Sequence, residues 1–208
     1  RVTERRFRVR VPPIDGETLK DDNAVEFTVH VTPEKIRVLY VEDRPRWEYR
    51  YVKNGLKRVD PSIVMQAGMV DASPRFEQEH SKDLPPLRDI PRTEKELFQY
   101  HVIVLGDVDP ADPKIGPERL KLIREFVEDF GGGLLVIAGQ HFMPRAYAGT
   151  PLEPLLPVVI DAGEDDLSSG SRPITEDFRP KLTLDGRKHP TMQLENDPQQ
   201  NLDLWEGA

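Results

Sequence analysis

Apolar and charged residues alternate along residues 7–11 and again along 25–31, the period-2 pattern of strands with one face turned to a core. Pro12, Pro13 and Gly16, followed by Asp21, Asp22 and Asn23, make a turn-rich linker between them. Two strands alone are marginal in water, so this pair is expected to close a β-sandwich whose other strands lie outside the chain. From Ile36 the rhythm changes. Residues 36–41 form a short, mostly apolar run ending in Glu42 and Asp43. Trp47, Tyr51, Val52, Leu56 and Val59 then recur near helical spacing and predict a helix from about Pro45 to Val59.

Residues 62–67 predict a second strand of this part, and 71–92 a Pro- and charge-rich connection longer than compact domains carry without a purpose. Thr93 and Glu96 have capping-box spacing and predict a short helix through Tyr100. Residues 102–105 read as a buried strand ending at Gly106, Asp107, Val108 and Asp109. Pro117, then Leu120, Ile123, Phe126, Val127 and Phe130, predict an amphipathic helix stopped by Gly131. A second buried strand over 134–138 ends at Gly139, Gln140 and His141. Strands with continuous apolar runs, alternating with helices, mean a parallel sheet covered on both faces: an open, doubly wound α/β domain. Residues 161–180 read as a polar excursion, and 181–184 and 192–194 as late edge strands.

Composition narrows the functional classes. The 208 residues carry a net charge of −8, which argues against nucleic acid as a partner, since phosphates need a concentrated Lys/Arg face. There is no cysteine, hence no disulfide, thiolate ligand or thiol nucleophile. The 20 prolines are about twice the usual ~5%, yet the apolar residues are too periodic for a disordered chain. The longest apolar run, 134–138, falls far short of the ~18 residues that span a bilayer. The start lacks the apolar stretch of a signal peptide, and with no Met at its head the chain reads as a piece of a longer protein.

In an open α/β sheet ligands bind outside the carboxyl ends of the strands, near the point where strand order reverses. The residues placed there are Glu42, Asp43, Asp107, Asp109, Gly139, Gln140 and His141, with Arg145 and Tyr147 just beyond. The four carboxylates have the chemistry to hold a hard cation, but acidic residues after a strand more often cap the next helix. His141 would need a nucleophile or metal partner to act as a base, and neither a G-x-S-x-G elbow nor an H-E-x-x-H motif occurs. His189, before Pro190, reads as a turn residue. Gly131, Gly132 and Gly133 precede a strand rather than a helix and read as a helix stop, not a phosphate loop. Arg44, Arg46, Arg50, Lys53, Lys57 and Arg58 have the charge to attract an anionic ligand, but read first as the solvated face of the first helix.

The run R-V-L-Y-V-E-D-R-P-R-W-E-Y-R over residues 37–50 resembles the opening strand and helix of the class I glutamine amidotransferase-like domains of large membrane-anchored bacterial proteins. Residues 102–110, and F-V-E-D-F-G-G-G-L-L-V-I-A-G over 126–139, are similar to that family's third and fourth strands. Residues 147–152 and 154–158 are similar to its following loop and short helix, and His189, Pro190 and residues 201–205 to its tail. The resemblance spans about residues 36–205. It implies a flavodoxin-like, mainly parallel sheet over 34–208, preceded at 1–33 by the last strands of a truncated immunoglobulin-like module.

The resemblance also implies a cysteine nucleophile in a sharp turn after a central strand, paired with a histidine and a glutamate. Here that turn corresponds to Gly139, Gln140 and His141, and Gln140 has no ionisable proton near neutral pH. The expectation is therefore a non-catalytic module with no catalytic residues, cofactor or metal. Its ligand site is expected at Glu42, Asp43, Asp107, Asp109, Gly139, Gln140, His141 and Arg145. Its partners are expected to be other domains of the parent chain, another protein, a small molecule or a glycan, with no nucleic acid and no direct membrane contact. The resemblance implies a soluble domain of a membrane-anchored protein, extracytoplasmic in the first instance and cytoplasmic as the alternative. The rival readings are a hydrolase or metal-dependent enzyme using Glu42, Asp107, Asp109 and His141, and a carbohydrate-binding domain using Trp47 and Tyr147.

Overall fold

The computed structural model describes residues 3–14, 16, 23–31, 34–73, 75–160 and 178–207. The linker positions Asp15 and 17–22, and residues 161–177 of the excursion expected over 161–180, lie outside the described residues. By contacts the chain divides into two compact units, residues 1–162 and 163–208. Within the first unit the strands form two sheets that share no strand.

The first sheet is an antiparallel hairpin of β1 (Thr3–Arg10) and β2 (Ala24–Val31), with Phe7 opposite Phe27 and Val9 opposite Val25. This register puts Phe7, Val9, Val25, Phe27 and Val29 on one face and Arg6, Arg8, Glu26 and Thr28 on the other, as the alternation predicts. Among the described residues nothing buries the apolar face: the Phe7 and Phe27 rings stack at 5.8 Å yet stay 45% and 47% exposed.

The second sheet is wholly parallel. It contains β3 (Ile36–Glu42), β4 (Ile63–Met69), β5 (Val102–Leu105) and β6 (Gly133–Val136), in the spatial order β4-β3-β5-β6. Strand order therefore reverses between β3 and β5, an arrangement compatible with a flavodoxin-like α/β fold. The helix α1 (Trp47–Val59) packs through Tyr49, Val52 and Leu56 on a cluster of Val38, Tyr40, Met65 and Val104. The short helix α2 (Glu94–Leu97) and α3 (Gly116–Glu128) build the other core, where Leu97, Leu120, Ile123 and Phe126 meet Leu39, Val41, Ile103 and Leu105. Burying each such side chain is worth about 1.5–3 kcal/mol. Alternate residues of β3 thus feed two cores, which is why Val38 to Val41 are continuously apolar rather than half polar.

Local chemistry accounts for the element ends. Thr93 and Glu96 form the predicted capping box of α2, although the helix stops at Leu97 instead of running to Tyr100. Tyr100 leaves the helix so that its hydroxyl can donate to the buried Gln66 side chain at 2.7 Å. Gly131 takes a φ of +76° three residues beyond the end of α3, so the triple glycine is a helix stop.

The long connection from β4 to α2 lies along the outer edge of β4. Ala67 N–H donates to the Glu79 carbonyl, Ser81 N–H to the Met65 carbonyl, and the Gln78 side-chain amide pairs with both backbone groups of Met69. An edge strand that would otherwise offer unpaired amides is covered this way. Lys53 and Lys57 of α1 each donate to the Glu79 carboxylate at 2.7 Å and hold its pKa down at about 2. These lysines, expected on a solvated face, instead fasten the connection.

The last unit corrects two expectations. Among the described residues, 181–184 and 192–194 are not strands: short 3-10 turns occupy Gly186–Lys188 and Pro190–Met192. The chain closes on a helix that hydrophobic spacing did not announce, α4 (Pro198–Gly207). Asp197 caps it by accepting from the N–H groups of Gln199 and Gln200, and Pro198 fits its first turn. The buried Asn201 accepts from the Leu194 N–H at 2.7 Å, and the Trp205 indole donates to the Met192 carbonyl at 3.0 Å. Residues 192–195 therefore spend their backbone groups on α4 rather than on a strand partner. No helix among the described residues is long and apolar enough to cross a membrane.

Since every residue of β1 is exposed, removing residues 1–31 should leave one cooperative thermal transition with its midpoint within about 5 °C of the intact chain. A broad, non-cooperative melt of the shortened chain would mean that the hairpin belongs to the core.

Candidate functional site

The carboxyl ends of β3, β5 and β6 meet around two buried carboxylates. Glu42, the last residue of β3, is 0% exposed. Its Oε1 accepts from the backbone N–H of Asp107 at 2.9 Å and of Asp43 at 3.2 Å. Its Oε2 accepts from Arg46 Nε at 2.9 Å and from the Tyr40 hydroxyl at 3.4 Å. The remaining nitrogens of Arg46 donate to the carbonyls of Ala138, at 2.8 Å, and Ile137, at 3.0 Å. One ion pair therefore links the tip of β3, the start of α1 and the end of β6. Burial pushes the Glu42 carboxyl up, opposed by Arg46 and by the N–H groups of Asp107 and Asp43.

Asp107, after β5, is the second. Its Oδ2 accepts from the His141 N–H at 2.9 Å, and its Oδ1 from the N–H groups of Phe142 and Met143, both at 2.8 Å. Burial pushes this carboxyl up too, but the three backbone donors outweigh it and hold it below the usual aspartate range. The loop after β6 is thereby wrapped around a fixed anion. Both carboxylates need glycine beside them: a Cβ on Gly106 would stand 2.2 Å from Glu42 Oε2, and one on Gly139 would stand 2.2 Å from Asp107 Cγ.

The expected site residues separate into groups. Glu42, Asp43, Asp107 and His141 line one crevice, together with Arg44, Pro45 and Arg46. Its volume is about 140 Å³, below the range of roughly 300–1,000 Å³ usual for small-molecule sites. Asp43 pairs with its neighbour Arg44 at 2.9 Å. Asp109 lies outside the crevice and accepts from the Ala111 N–H at 2.9 Å. Gly139 packs behind Asp107, while the exposed Gln140 and Arg145 are not part of the lining. His189 accepts locally from the Thr191 N–H.

This geometry limits the available chemistry. Glu42 and Asp107 meet internal donors through both oxygens, and His141 contributes its backbone N–H to the arrangement while its residue stays exposed. Among the described residues no group of three or more His, Asp or Glu is placed to hold a metal ion. Tyr147 is 0% exposed, with its hydroxyl donating to the Val108 carbonyl at 3.0 Å. It offers no face to a sugar. Trp47 is exposed and stacks on Tyr51 at 6.1 Å. No family model matches this chain, and no curated protein or solved structure matches it either.

Arg46 is the residue whose role sequence reasoning missed, having placed it with the solvated cations of α1. Its spacing of four from Glu42 was a signal, although residues 43–46 are not helical and the spacing alone carried no contact.

The Asp107 carboxyl titrates lower in the folded chain than the unfolded value near 4. Its contribution to stability is therefore present above about pH 4 and fades as the pH falls through the folded-state value. Asp107→Asn is expected to cost about 1–3 kcal/mol at neutral pH, with the gap to wild type in urea unfolding narrowing below about pH 4. A gap that stays constant down to about pH 2 would show that the ionised carboxylate is not what holds the loop.

Proposed function

We propose that this chain is a non-catalytic, glutamine amidotransferase-like module of a larger membrane-anchored bacterial protein and works as a binding domain. The observation that carries the reading is the turn after β6. Where the resemblance calls for a cysteine, the chain has Gly139, Gln140 and His141, with no cysteine anywhere, and the turn is held to Asp107 through backbone N–H groups. An amide cannot replace a thiolate as nucleophile. The nearest carboxylates are engaged with Arg46 and main-chain donors instead of facing a reacting group.

In this reading the hairpin β1–β2 is the end of an immunoglobulin-like module. Its support is the clean two-faced pattern and the apolar face left open by Phe7, Val9, Val25, Phe27 and Val29. Other domains of the parent chain, a second protein or a small molecule are the partners to seek, on the extracytoplasmic side first.

Incubating the pure chain with millimolar glutamine and measuring released ammonia tests the absence of catalysis. No release above the buffer control is expected. Turnover that tracks the protein through purification and is lost in His141→Ala would overturn the proposal.

A further inference from the structure

The connection between β4 and α2 does more than cover an edge strand. Between it and the carboxyl end of β4 lies a cavity of about 540 Å³, within the size range of small-molecule sites. Its floor is apolar and firmly held. Met69, Val70 and Ile90 are buried, and Leu87 packs so close to β4 that a Cβ on Gly68 would come within 2.9 Å of Leu87 Cδ2. Gln66 Nε2 donates to the Pro85 carbonyl at 2.8 Å, tying the returning segment to the sheet. The Phe76 ring, 45% exposed, forms an apolar wall.

The charged residues of the lining are unequal in what they have left to give. Three are cations: Arg75, Arg88 and Lys114. Lys114 Nζ donates to the Val70 carbonyl at 2.5 Å, which leaves two of its hydrogens free of that bond. Arg75 and Arg88 pair with no carboxylate among the described residues. Two are anions. Asp89 is already committed, accepting from the Ile90 N–H and from the Arg92 guanidinium. Glu77 is 81% exposed in its side chain and lies 3.9 Å from His80. The balance is three cations over an apolar floor, with one carboxylate satisfied internally and the other mostly in solvent.

From this we infer a binding site for a small amphipathic anion, its apolar body against Met69, Leu87 and Phe76 and its carboxylate or other anionic head at Arg75, Arg88 and Lys114. The inference rests on the binding-module reading in placing the ligand, and moves it from the strand-reversal crevice to the edge of the sheet. The site needs no chemistry from Glu42 or Asp107.

Calorimetric titration of the 208-residue chain with sodium hexanoate, hexylammonium chloride and sodium acetate tests this. Saturable binding of hexanoate is expected, with hexylammonium and acetate binding at least about tenfold more weakly. R75A/R88A should weaken hexanoate about tenfold or more, and Lys114→Gln should weaken it in the same direction, with far-UV circular dichroism unchanged for both. Three results would overturn the site: no saturable hexanoate binding to wild type, equal binding of hexylammonium, or affinity that neither variant lowers. Glutamine turnover by the same sample would instead overturn the functional reading, so the two failures are distinguishable.

Discussion

The first unit depends on how one buried negative charge is satisfied. Glu42 has no exposed surface, and an isolated carboxylate taken out of water costs several kcal/mol even after relaxation. That cost is offset only if Arg46, the amides of Asp43 and Asp107 and the Tyr40 hydroxyl all arrive together. They come from the last turn of β3, the entry to α1 and the exit of β5, while Arg46 reaches onward to the end of β6. A buried ion pair of this kind contributes modestly to net stability, but breaking it by removing one partner is severe. Its effect is to specify position, since three strand ends and one helix start must keep a single register.

Asp107 extends the same logic one strand further. An anion surrounded by consecutive N–H groups is a nest-like arrangement, and here the anion is built into the chain. A bound substrate would normally bring such a charge with it. The carboxyl ends of the strands, where sheets of this kind place their ligands, are thus occupied by the protein's own side chains. The crevice that remains is small, and the larger cavity lies at the edge of the sheet under the long connection. At the point of strand reversal the buried carboxylates are satisfied from within the chain, and the sequence supplies no thiol beside them.

The parallel sheet and its helices were legible because the signals were local and periodic. The mostly apolar run at 36–41, the apolar run at 102–105, the Thr93–Glu96 spacing and the glycine after Phe130 each correspond to an observed element or cap. The site was half legible: strand ends marked Glu42 and Asp107, but not what they bond to. Lys53 and Lys57 looked like solvated charge because Glu79, their shared partner, is far away in a connection without periodicity. The expected edge strands at 181–184 and 192–194 failed for a related reason. Short apolar stretches do not reveal that Asn201 and Trp205 of α4 take the backbone groups a strand would need.

A double-mutant cycle on Glu42 and Arg46, read by urea unfolding at neutral pH, measures how far this charge pair holds the strand ends. Arg46→Met, which strands a buried carboxylate, should cost about 3–5 kcal/mol. The pair Glu42→Gln with Arg46→Met should cost less than the two single changes added together, with a coupling of about 1–3 kcal/mol. Single changes that each cost under about 0.5 kcal/mol and add without coupling would contradict the account, because the strand ends would then be held by something other than this charge.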